Sequence, residues 1–488
     1  MSLTSPVFLV ALAGIFALTQ ILREGTPRVV AWLVASYAFY YLLSSTLIVV
    51  LLFITAITYV GGNLLSGTKN ETQRKFVFTG ALLLVLAPLI GFKYLHFILG
   101  ALAGLVTWFG VPVGAPAMEL ALPIGLSFFT FQALGYLADV FIGTYQSERR
   151  LSRVALYLAF FPTVTAGPIQ RAGRLIPQLD ERRPFESDRM LAALRFILWG
   201  LTLKAVLAEI LYGKIAKVFG DLASASPLEA LFGSIFYTFY IYTDFAGYSL
   251  IAIGSGLLLG IKLDPNFRQP FLSTSIPEFW RTWHISLSSW VRDYVFMPLR
   301  LKWRHSPFWG LVGAVILSFL IIGVWHGANW TFVVFGLMHG IMAAVSITTQ
   351  SVRDRLWKAV RAPVGLVRVL RILTTFMFVT ISFIVYRADS IKEAGAVFRK
   401  IFSSDLLANI RFAMQADGAG AFKSIGPLDI GWLVIVIVLG ADILARSGLV
   451  VERMPRAIQV VLYNIALLAL TYMWIAGNAP QPFLYYRF

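Results

Sequence analysis

An ionisable imidazole lies within a long apolar stretch of this chain. His326 belongs to the segment GVWHGANW (323–330), near the middle of an apolar run from Phe308 to Ile347. An ionisable group inside a membrane span is costly and marks a functional site by default. Trp325 offers an amphipathic ring beside it, and Asn329 offers both a donor and an acceptor. The alternative is a histidine that only ties two helices together.

A second histidine lies in a stretch that combines aromatic and polar residues. His284 belongs to PEFWRTWHISLSSWVRDYVFMPL (277–299), where Trp280, Trp283 and Leu287 recur at helical spacing. The pattern predicts one aromatic-rich helix that begins near Pro277, packs across or partly into the membrane and turns its polar groups inward. Its other polar side chains are candidate supporting residues, namely Glu278, Arg281 and Asp293.

Two neutral imidazoles in a dry site suit general-base chemistry. One histidine would take the proton of a hydroxyl while the hydroxyl oxygen attacks an acyl carbonyl. The other histidine would orient the acyl donor or polarise its carbonyl. Neither histidine has a further His, Cys or carboxylate at ligand spacing, so no metal site is predicted. The chain has no cysteine, so a covalent intermediate would have to form on oxygen or nitrogen.

The composition indicates the elements that must position these residues. The 488-residue chain is 58% hydrophobic and 13% charged, with a mean hydropathy of +0.77. It is predicted to be an all-α polytopic membrane protein of about 11 transmembrane helices, forming a single domain over 1–488. The net charge of +17 lies in the links between apolar runs, which suits anionic lipids or an anionic cytosolic donor better than nucleic acid.

Apolar runs and basic loops give the order of the spans. The positive-inside rule places the N-terminus outside, and it requires that one run, most simply Leu95–Phe109, does not fully cross. Besides the run that holds His326, the apolar runs are Pro6–Ile21, Val29–Leu42, Thr46–Leu65, Phe76–Ile90, Leu95–Phe109, Leu122–Ile142, Leu191–Leu211, Phe232–Leu259, Val364–Val385, Ile430–Leu444 and Ile458–Ala476.

Two further stretches carry polar residues at membrane depth. The segment LAFFPTVTAGPIQRAGRLIPQL (158–179) is broken by Pro162 and Pro168, which predicts a re-entrant segment lining a cavity; the alternative is an amphipathic helix in the headgroup layer. Asp244 stands among aromatic residues in YTDFAGYSL, and we expect it to have a structural hydrogen-bonding role.

At these residues the chain resembles the membrane-bound O-acyltransferases, in the bacterial branch that acetylates alginate or transfers D-alanine to teichoic acids. The core of the resemblance covers 122–340. The segments that carry it are LPIGLSFFTFQALGYLADV (122–140), FFPTVTAGPIQR (160–171), YTDFAGYSLIAIGSGLLLGI (242–261), NFRQPFLSTSIPEFWRTWHISLSSWVRDYVFMPL (266–299), WHGANWTFVVFGLMHG (325–340), FIVYRADS (383–390) and PFLYYRF (482–488).

The resemblance implies a function and an architecture. His326 would be the catalytic histidine and His284 the second family histidine, within a ring of helices around a central funnel. In this funnel, acetyl groups from cytosolic acetyl-CoA would reach hydroxyls of an exported polysaccharide of alginate or cellulose type. The protein would bind no cofactor. The setting would be the bacterial inner membrane, with periplasmic acetyl-transfer proteins and a polysaccharide synthase or export complex as partners. The alternatives are D-alanyl or peptidoglycan O-acyl transfer, or a transporter or scaffold of an export complex.

Basic residues are candidates to hold the phosphates of the donor. Where the branch usually has a glycine-rich loop after MPL, this chain has a basic one. Charge-assisted hydrogen bonds to CoA would come from Arg171, Arg174, Arg300, Lys302 and Arg304. Orientation of the protein on anionic lipid is the alternative for these charges.

The C-terminal tail, PQPFLYYRF (480–488), is too short to span and rich in aromatic residues. The resemblance suggests that it reaches into the funnel with Tyr485 near His326. Since the chain has no cysteine, a phenol would be a suitable oxygen nucleophile to carry the acyl group. The alternative is an aromatic anchor at the membrane interface.

Overall fold

The computed structural model describes residues 3–114, 121–181, 185–403, 429–447 and 453–476, and singly residues 405, 406, 408, 411, 425, 426, 481 and 483. Every regular element in this part of the chain is helical, with no strand. It divides into two compact units, which we describe separately. The first holds Met1–Ile197 and Tyr248–Pro265, and the second holds Leu198–Gly247 and Asn266–Leu484.

Helices occupy most of both units. In chain order they are α1 Pro6–Ile21, α2 Thr26–Ser44, α3 Ile48–Gly67, α4 Glu71–Leu89, α5 Leu95–Trp108, α6 Leu126–Ile142, α7 Leu151–Ala159, α8 Ala172–Gln178, α9 Ser187–Leu201, α10 Ala208–Gly220, α11 Pro227–Leu258, α12 Ile276–Thr282, α13 Ile285–Val291, α14 Met297–Lys302, α15 Pro307–His326, α16 Trp330–Thr348, α17 Gln350–Ala359, α18 Val364–Arg387, α19 Ile391–Ile401, α20 Ile430–Arg446 and α21 Arg456–Ile475.

Many of these helices are suited to a bilayer. Within the described part of the chain, eight stretches are long and apolar enough to cross it by length and composition, and α1 and α6 are shorter apolar helices. The prediction of an all-α, multi-pass membrane protein is confirmed. The eight stretches are Thr26–Gly67, Glu71–Trp108, Ser187–Gly220, Pro227–Leu258, Pro307–His326, Trp330–Thr348, Val364–Arg387 and Arg456–Ile475.

The runs Phe76–Ile90 and Leu95–Phe109 were predicted to be separate, and this is wrong. A π turn at Ile90–Tyr94 joins α4 to α5 in one uninterrupted helical stretch. Pro88 lies one turn earlier and lacks a backbone donor, and the wider i→i+5 bonding of the π turn restores the ladder without ending the helix. That Leu95–Phe109 does not fully cross the membrane stays a prediction.

The broken segment between α7 and α8 is buried in the first unit. Residues 160–170 are all buried although their backbone is not regular helix. Gly125, at φ +79°, lets the start of α6 touch this segment, since a Cβ there would lie 2.1 Å from the Val164 carbonyl oxygen. The Tyr157 hydroxyl binds the Gln170 carbonyl oxygen at 2.9 Å. This burial favours the re-entrant interpretation over a helix lying on the surface.

Candidate active site

Close packing of α15 on α16 sets the position of His326. Gly323 and Gly336 face each other, and a Cβ on Gly323 would lie 2.3 Å from the Phe332 carbonyl oxygen. Only glycine permits this approach. His326 is the last residue of α15, and Asn329 begins α16 as its N-cap by accepting from the Thr331 amide at 3.1 Å. The tight helix pair therefore holds His326 at a fixed point.

His326 lies among aromatic rings and beside one hydroxyl. Its side chain is buried, and its ring centroid is 5.0 Å from that of Trp325 and 5.8 Å from that of Phe335. The Tyr386 hydroxyl of α18 is 3.3 Å from Nδ1. A tyrosine hydroxyl can donate or accept, so this contact is compatible with either neutral tautomer of His326.

The single helix predicted across His284 is wrong, because the chain breaks there. His284 separates α12 from α13 with left-handed backbone angles, φ 43° and ψ 54°. This conformation costs a non-glycine residue roughly 1–2 kcal/mol and is concentrated at functional sites. Backbone contacts hold the break in place: the Ile285 amide binds the Asn266 carbonyl at 2.9 Å, and the Arg268 amide binds the Thr282 carbonyl at 2.9 Å.

Asn266 fixes which nitrogen of His284 carries the proton. Its Oδ1 accepts from the Ser286 amide at 3.3 Å and the Ser286 hydroxyl at 2.9 Å. A backbone amide can only donate, so the atom facing it is the amide oxygen. His284 Nδ1, at 3.1 Å from the same oxygen, must therefore carry the hydrogen, which leaves the lone pair on Nε2. Complete burial lowers the pKa of His284 to about 3, so the ring is neutral at pH 7.

Trp325 links the two histidines into one cluster. Its ring centroid lies 5.5 Å from that of His284 and 5.0 Å from that of His326. We call His284, Trp325, His326, Tyr386 and Asn266 the histidine cluster. It contains three residues that the sequence singled out, together with Asn266 and Tyr386, which were not recognised although each lies in a segment that carries the family resemblance.

The predicted supporting residues make contacts of other kinds. Asn329 Nδ2 donates to the Asp389 carbonyl at 2.8 Å, besides capping α16. Ser275 is the N-cap of α12 and Glu278 lies in its first turn, Arg281 is exposed, and Asp293 binds the neighbouring Arg292 Nε at 2.8 Å on an exposed surface. Tyr485 lies outside the described residues. Participation of these residues in the reaction stays a prediction.

The basic residues proposed for the donor belong to different units. In the first unit, Arg174 is exposed and binds Asp264 at 2.6 Å, while Arg171 is half-buried. In the second unit, Arg300 is half-buried on α14, and Lys302 and Arg304 are exposed. A role for these residues in binding phosphates stays a prediction.

His339 is a buried histidine that the sequence analysis did not consider. The Trp280 indole donates to its Nδ1 at 3.0 Å, and its Nε2 lies 2.9 Å from the Ser382 hydroxyl. Because indole can only donate, Nδ1 is the accepting nitrogen and Nε2–H donates to Ser382. Both ring nitrogens are thus engaged, so His339 ties α12, α16 and α18 together as a structural histidine.

A capping arrangement positions α12, and it supplies a test of stability against pH. Burial raises the pKa of Glu278, but hydrogen bonds from Thr274 and the charges of Arg446 and Arg281 outweigh it, and the net pKa is lowered. Glu278 Oε2 accepts from the Thr274 amide at 2.8 Å and its hydroxyl at 2.6 Å. The carboxylate therefore stabilises the fold above its unfolded-state pKa, and this contribution is lost as pH falls through the folded-state value.

We expect Glu278→Gln to lower the stability at pH 7 by about 1 kcal/mol. The neutral amide is a weaker hydrogen-bond acceptor than the carboxylate, and it is no longer attracted to the neighbouring positive charges. Thermal unfolding in detergent at pH 7 and at acidic pH measures the difference from the parent protein. The difference should shrink as the pH falls. A difference that stays constant with pH would show that the charge of Glu278 does not matter.

Comparison with known proteins identifies the family of this chain. The model of the membrane-bound O-acyltransferase family matches residues 122–386, which is more than half of the chain and includes the histidine cluster. The protein belongs to this family, and it is an O-acyltransferase.

Three relatives show the range of the family. A protein from Azotobacter vinelandii named probable alginate O-acetylase is 32% identical over 83% of this chain and 78% of its own. The peptidoglycan O-acetyltransferase of Helicobacter pylori is 32% identical over 58% of this chain and 57% of its own. The teichoic acid D-alanyltransferase of Bacillus subtilis is 28% identical over 56% of this chain and 69% of its own.

Proposed function

We propose that the protein is an inner-membrane O-acetyltransferase that moves acetyl groups from cytosolic acetyl-CoA toward hydroxyls of an exported polysaccharide of alginate or cellulose type. The observation that carries this proposal is the histidine cluster, in which two buried imidazoles share the Trp325 ring. The name and coverage of the Azotobacter vinelandii relative support a polysaccharide acceptor. The Helicobacter pylori relative supports peptidoglycan as a second candidate acceptor.

In this proposal His326 is the base, and Tyr386 orients it. A lone pair on Nε2 requires the hydrogen on Nδ1, where the Tyr386 oxygen accepts it at 3.3 Å. The oxygen of the acceptor hydroxyl bonds to the acetyl carbonyl carbon while His326 Nε2 takes the hydroxyl proton. The C–S bond to CoA then breaks, and the imidazolium returns the proton to the leaving thiolate. The burial of His326 excludes water, which would otherwise hydrolyse the thioester.

His284 orients a substrate in this scheme. Its Nε2 carries a lone pair, because Asn266 holds the hydrogen on Nδ1 at 3.1 Å. A nitrogen without hydrogen cannot donate to a carbonyl oxygen, so the neutral ring is unsuited to polarising the acetyl group. It is suited to accept a hydrogen bond from the acceptor hydroxyl or from an amide of the donor. This assigns orientation, rather than carbonyl polarisation, to His284.

The remaining parts of the proposal concern the donor mouth and the partners. Arg171, Arg174, Arg300, Lys302 and Arg304 would bind the phosphates of CoA by charge-assisted hydrogen bonds. Periplasmic acetyl-transfer proteins and a polysaccharide synthase or export complex would complete the transfer on the outer side.

Purified protein in proteoliposomes tests the proposal directly. With acetyl-CoA on one face and oligosaccharide on the other, sustained release of free CoA beyond one equivalent per protein should require both substrates, and the oligosaccharide should gain an acetyl mass. His96→Ala, at an exposed histidine, is the matched control and should behave as the parent. Release of CoA that is indifferent to every oligosaccharide and peptidoglycan fragment would overturn the assignment of the acceptor.

His284→Ala is expected to lower turnover by about 10-fold, because one orienting hydrogen bond is lost, and so by less than His326→Ala. Alanine is strained at the positive φ of this position, so His284→Asn is the companion variant: asparagine tolerates the left-handed region and can still donate to Asn266. Steady-state transfer rates measure both. Loss as complete as that of His326→Ala in both variants would show instead that the histidines act as one unit.

Tyr485 is proposed to carry the acyl group. In the carrier scheme the phenol oxygen attacks the acetyl carbonyl carbon of acetyl-CoA while His326 takes the phenolic proton. The C–S bond then breaks, and the imidazolium protonates the CoA thiolate. A polysaccharide hydroxyl next attacks the aryl ester, and its proton returns to the released phenolate oxygen. Tyr485→Phe keeps the ring and should abolish transfer to the polysaccharide, while the trapped parent should show an acetyl mass on the last seven residues. If the tail is only an interfacial anchor, Tyr485→Phe will transfer at the rate of the parent, and the carrier scheme fails.

A further inference from the structure

Two charged side chains bind both backbone groups of one residue near the end of the chain. The Gln481 amide donates to Glu209 Oε1 at 2.7 Å, and Lys204 Nζ donates to the Gln481 carbonyl at 2.9 Å. Hydrogen bonds with one ionised partner are about twice as strong as neutral ones. We call Lys204 and Glu209 the Gln481 clamp. It binds main chain, so it holds this segment whatever the side chain of residue 481.

Lys204 is held in place by an ion pair and by a tight helix contact. Its ammonium lies 2.5 Å from Asp244 Oδ1, and both side chains are almost completely buried. Lys204 sits in a π turn at Thr202–Leu207, a feature frequent at functional sites. Gly247 lets α11 approach this turn, since a Cβ there would lie 2.8 Å from the Lys204 amide nitrogen. Burying a charged pair costs desolvation free energy, which indicates a role for the ammonium beyond pairing with Asp244.

Two residues after Gln481, an aromatic side chain connects the tail to the histidine cluster. Phe483 is only 2% exposed, and its ring centroid is 5.5 Å from that of Phe245. The Phe245 ring is in turn 4.7 Å from the His284 ring and meets it edge to face. Main-chain hydrogen bonds at one residue and a side-chain pocket two residues further on are the usual way to recognise an extended peptide.

We propose that the Gln481 clamp is a peptide-backbone site that seats the C-terminal segment of the chain, with Lys204 and Glu209 as positioning residues and Asp244 holding Lys204. The clamp orders the segment so that Phe483 packs on Phe245, next to His284. The effect on acyl transfer rests on the proposed function, whereas the seating of the segment does not. The two are therefore measured separately.

A single cysteine reports on the seating, since the natural chain has none. In Phe483→Cys protein the clamp contacts are kept because they involve the backbone of another residue, and the introduced thiol should react slowly with a maleimide. Adding Glu209→Leu removes the acceptor for the Gln481 amide and should raise the labelling rate by about 10- to 100-fold, the effect of one hydrogen bond to a charged group. Glu209→Gln keeps a carbonyl acceptor and should restore protection.

A second pair of substitutions tests the other half of the clamp. Lys204→Met combined with Asp244→Leu removes the ammonium without leaving a buried unpaired charge, and it should also expose the introduced thiol. Equal labelling rates in the Phe483→Cys parent and in both clamp variants would overturn the proposal. His326→Ala should abolish transfer and leave labelling unchanged, so failure of the proposed chemistry is distinguishable from failure of the clamp.

In the natural sequence, Glu209→Leu should lower acyl transfer while Glu209→Gln retains it. Retained transfer in Glu209→Leu, together with faster labelling of the thiol in the matching Phe483→Cys protein, would overturn the part of the proposal that gives the seated segment a role in the reaction.

Discussion

Replacing His326 with alanine is expected to lower acyl transfer at pH 7 by about 10²- to 10⁴-fold, the usual contribution of a general base. The side chain is buried and lies 3.3 Å from the Tyr386 hydroxyl, so the truncated variant retains neither the base nor its orienting contact.

The measurement is the initial rate of acetyl transfer in proteoliposomes, with thermal unfolding and gel filtration as checks on folding. Two histidines provide matched controls. His96→Ala should leave the rate unchanged because that residue is exposed, and His339→Gln should affect stability more than rate because both ring nitrogens make structural contacts. A folded His326→Ala protein that transfers at the parent rate would disprove the assignment of the base.

The largest effect on stability is expected at the buried ion pair of Lys204 and Asp244. Lys204→Met should lower the free energy of unfolding by about 3–5 kcal/mol, because it leaves the Asp244 carboxylate buried without its countercharge. Both side chains are nearly inaccessible, at 2% and 1% exposure, so solvent cannot take the place of the lost partner. Reversible denaturation in mixed micelles measures the change.

Removing the charges of both partners separates the effect of the ion pair on stability from the effect of side-chain packing. The double variant Lys204→Met with Asp244→Leu should recover much of the lost stability, since no charge is then left buried. The exposed pair of Lys75 and Glu71, at 64% and 81% exposure, gives the control: Lys75→Met should leave the stability close to that of the parent, because solvent screens an exposed pair. A single variant Lys204→Met as stable as the parent would contradict the buried ion pair.

Hydropathy allowed most helices to be placed from the sequence, because a bilayer demands long apolar runs. It failed at local breaks. The π turn after Pro88 comes from hydrogen bonding within the helix itself, and the left-handed turn at His284 is held by the bond of the Ile285 amide to the Asn266 carbonyl. Hydrophobic periodicity carries no sign of either. Asp244 was expected to form a structural hydrogen bond, and the structure gives it an ion pair with Lys204 that no local pattern indicates.

Within the site, the sequence identified the residues of unusual type but not the ones that orient them. His284, His326 and Trp325 stand out because polar or amphipathic groups are rare in apolar runs. Asn266 and Tyr386 resemble many other loop asparagines and interfacial tyrosines, and only the folded chain places them against ring nitrogens at 3.1 and 3.3 Å. Their significance is a property of tertiary contact, which one sequence does not show.

The π turn at Thr202–Leu207 also restricts which changes of chain length the protein tolerates. A π turn is equivalent to one residue inserted into an α-helix. Deleting one residue there would restore regular α geometry and rotate α10 by about 100° about its axis relative to the preceding residues. Lys204 and Glu209 could then no longer face Asp244 and Gln481 together. This helix should therefore accept many substitutions on its lipid-facing side, yet a single-codon deletion within the turn should inactivate the protein.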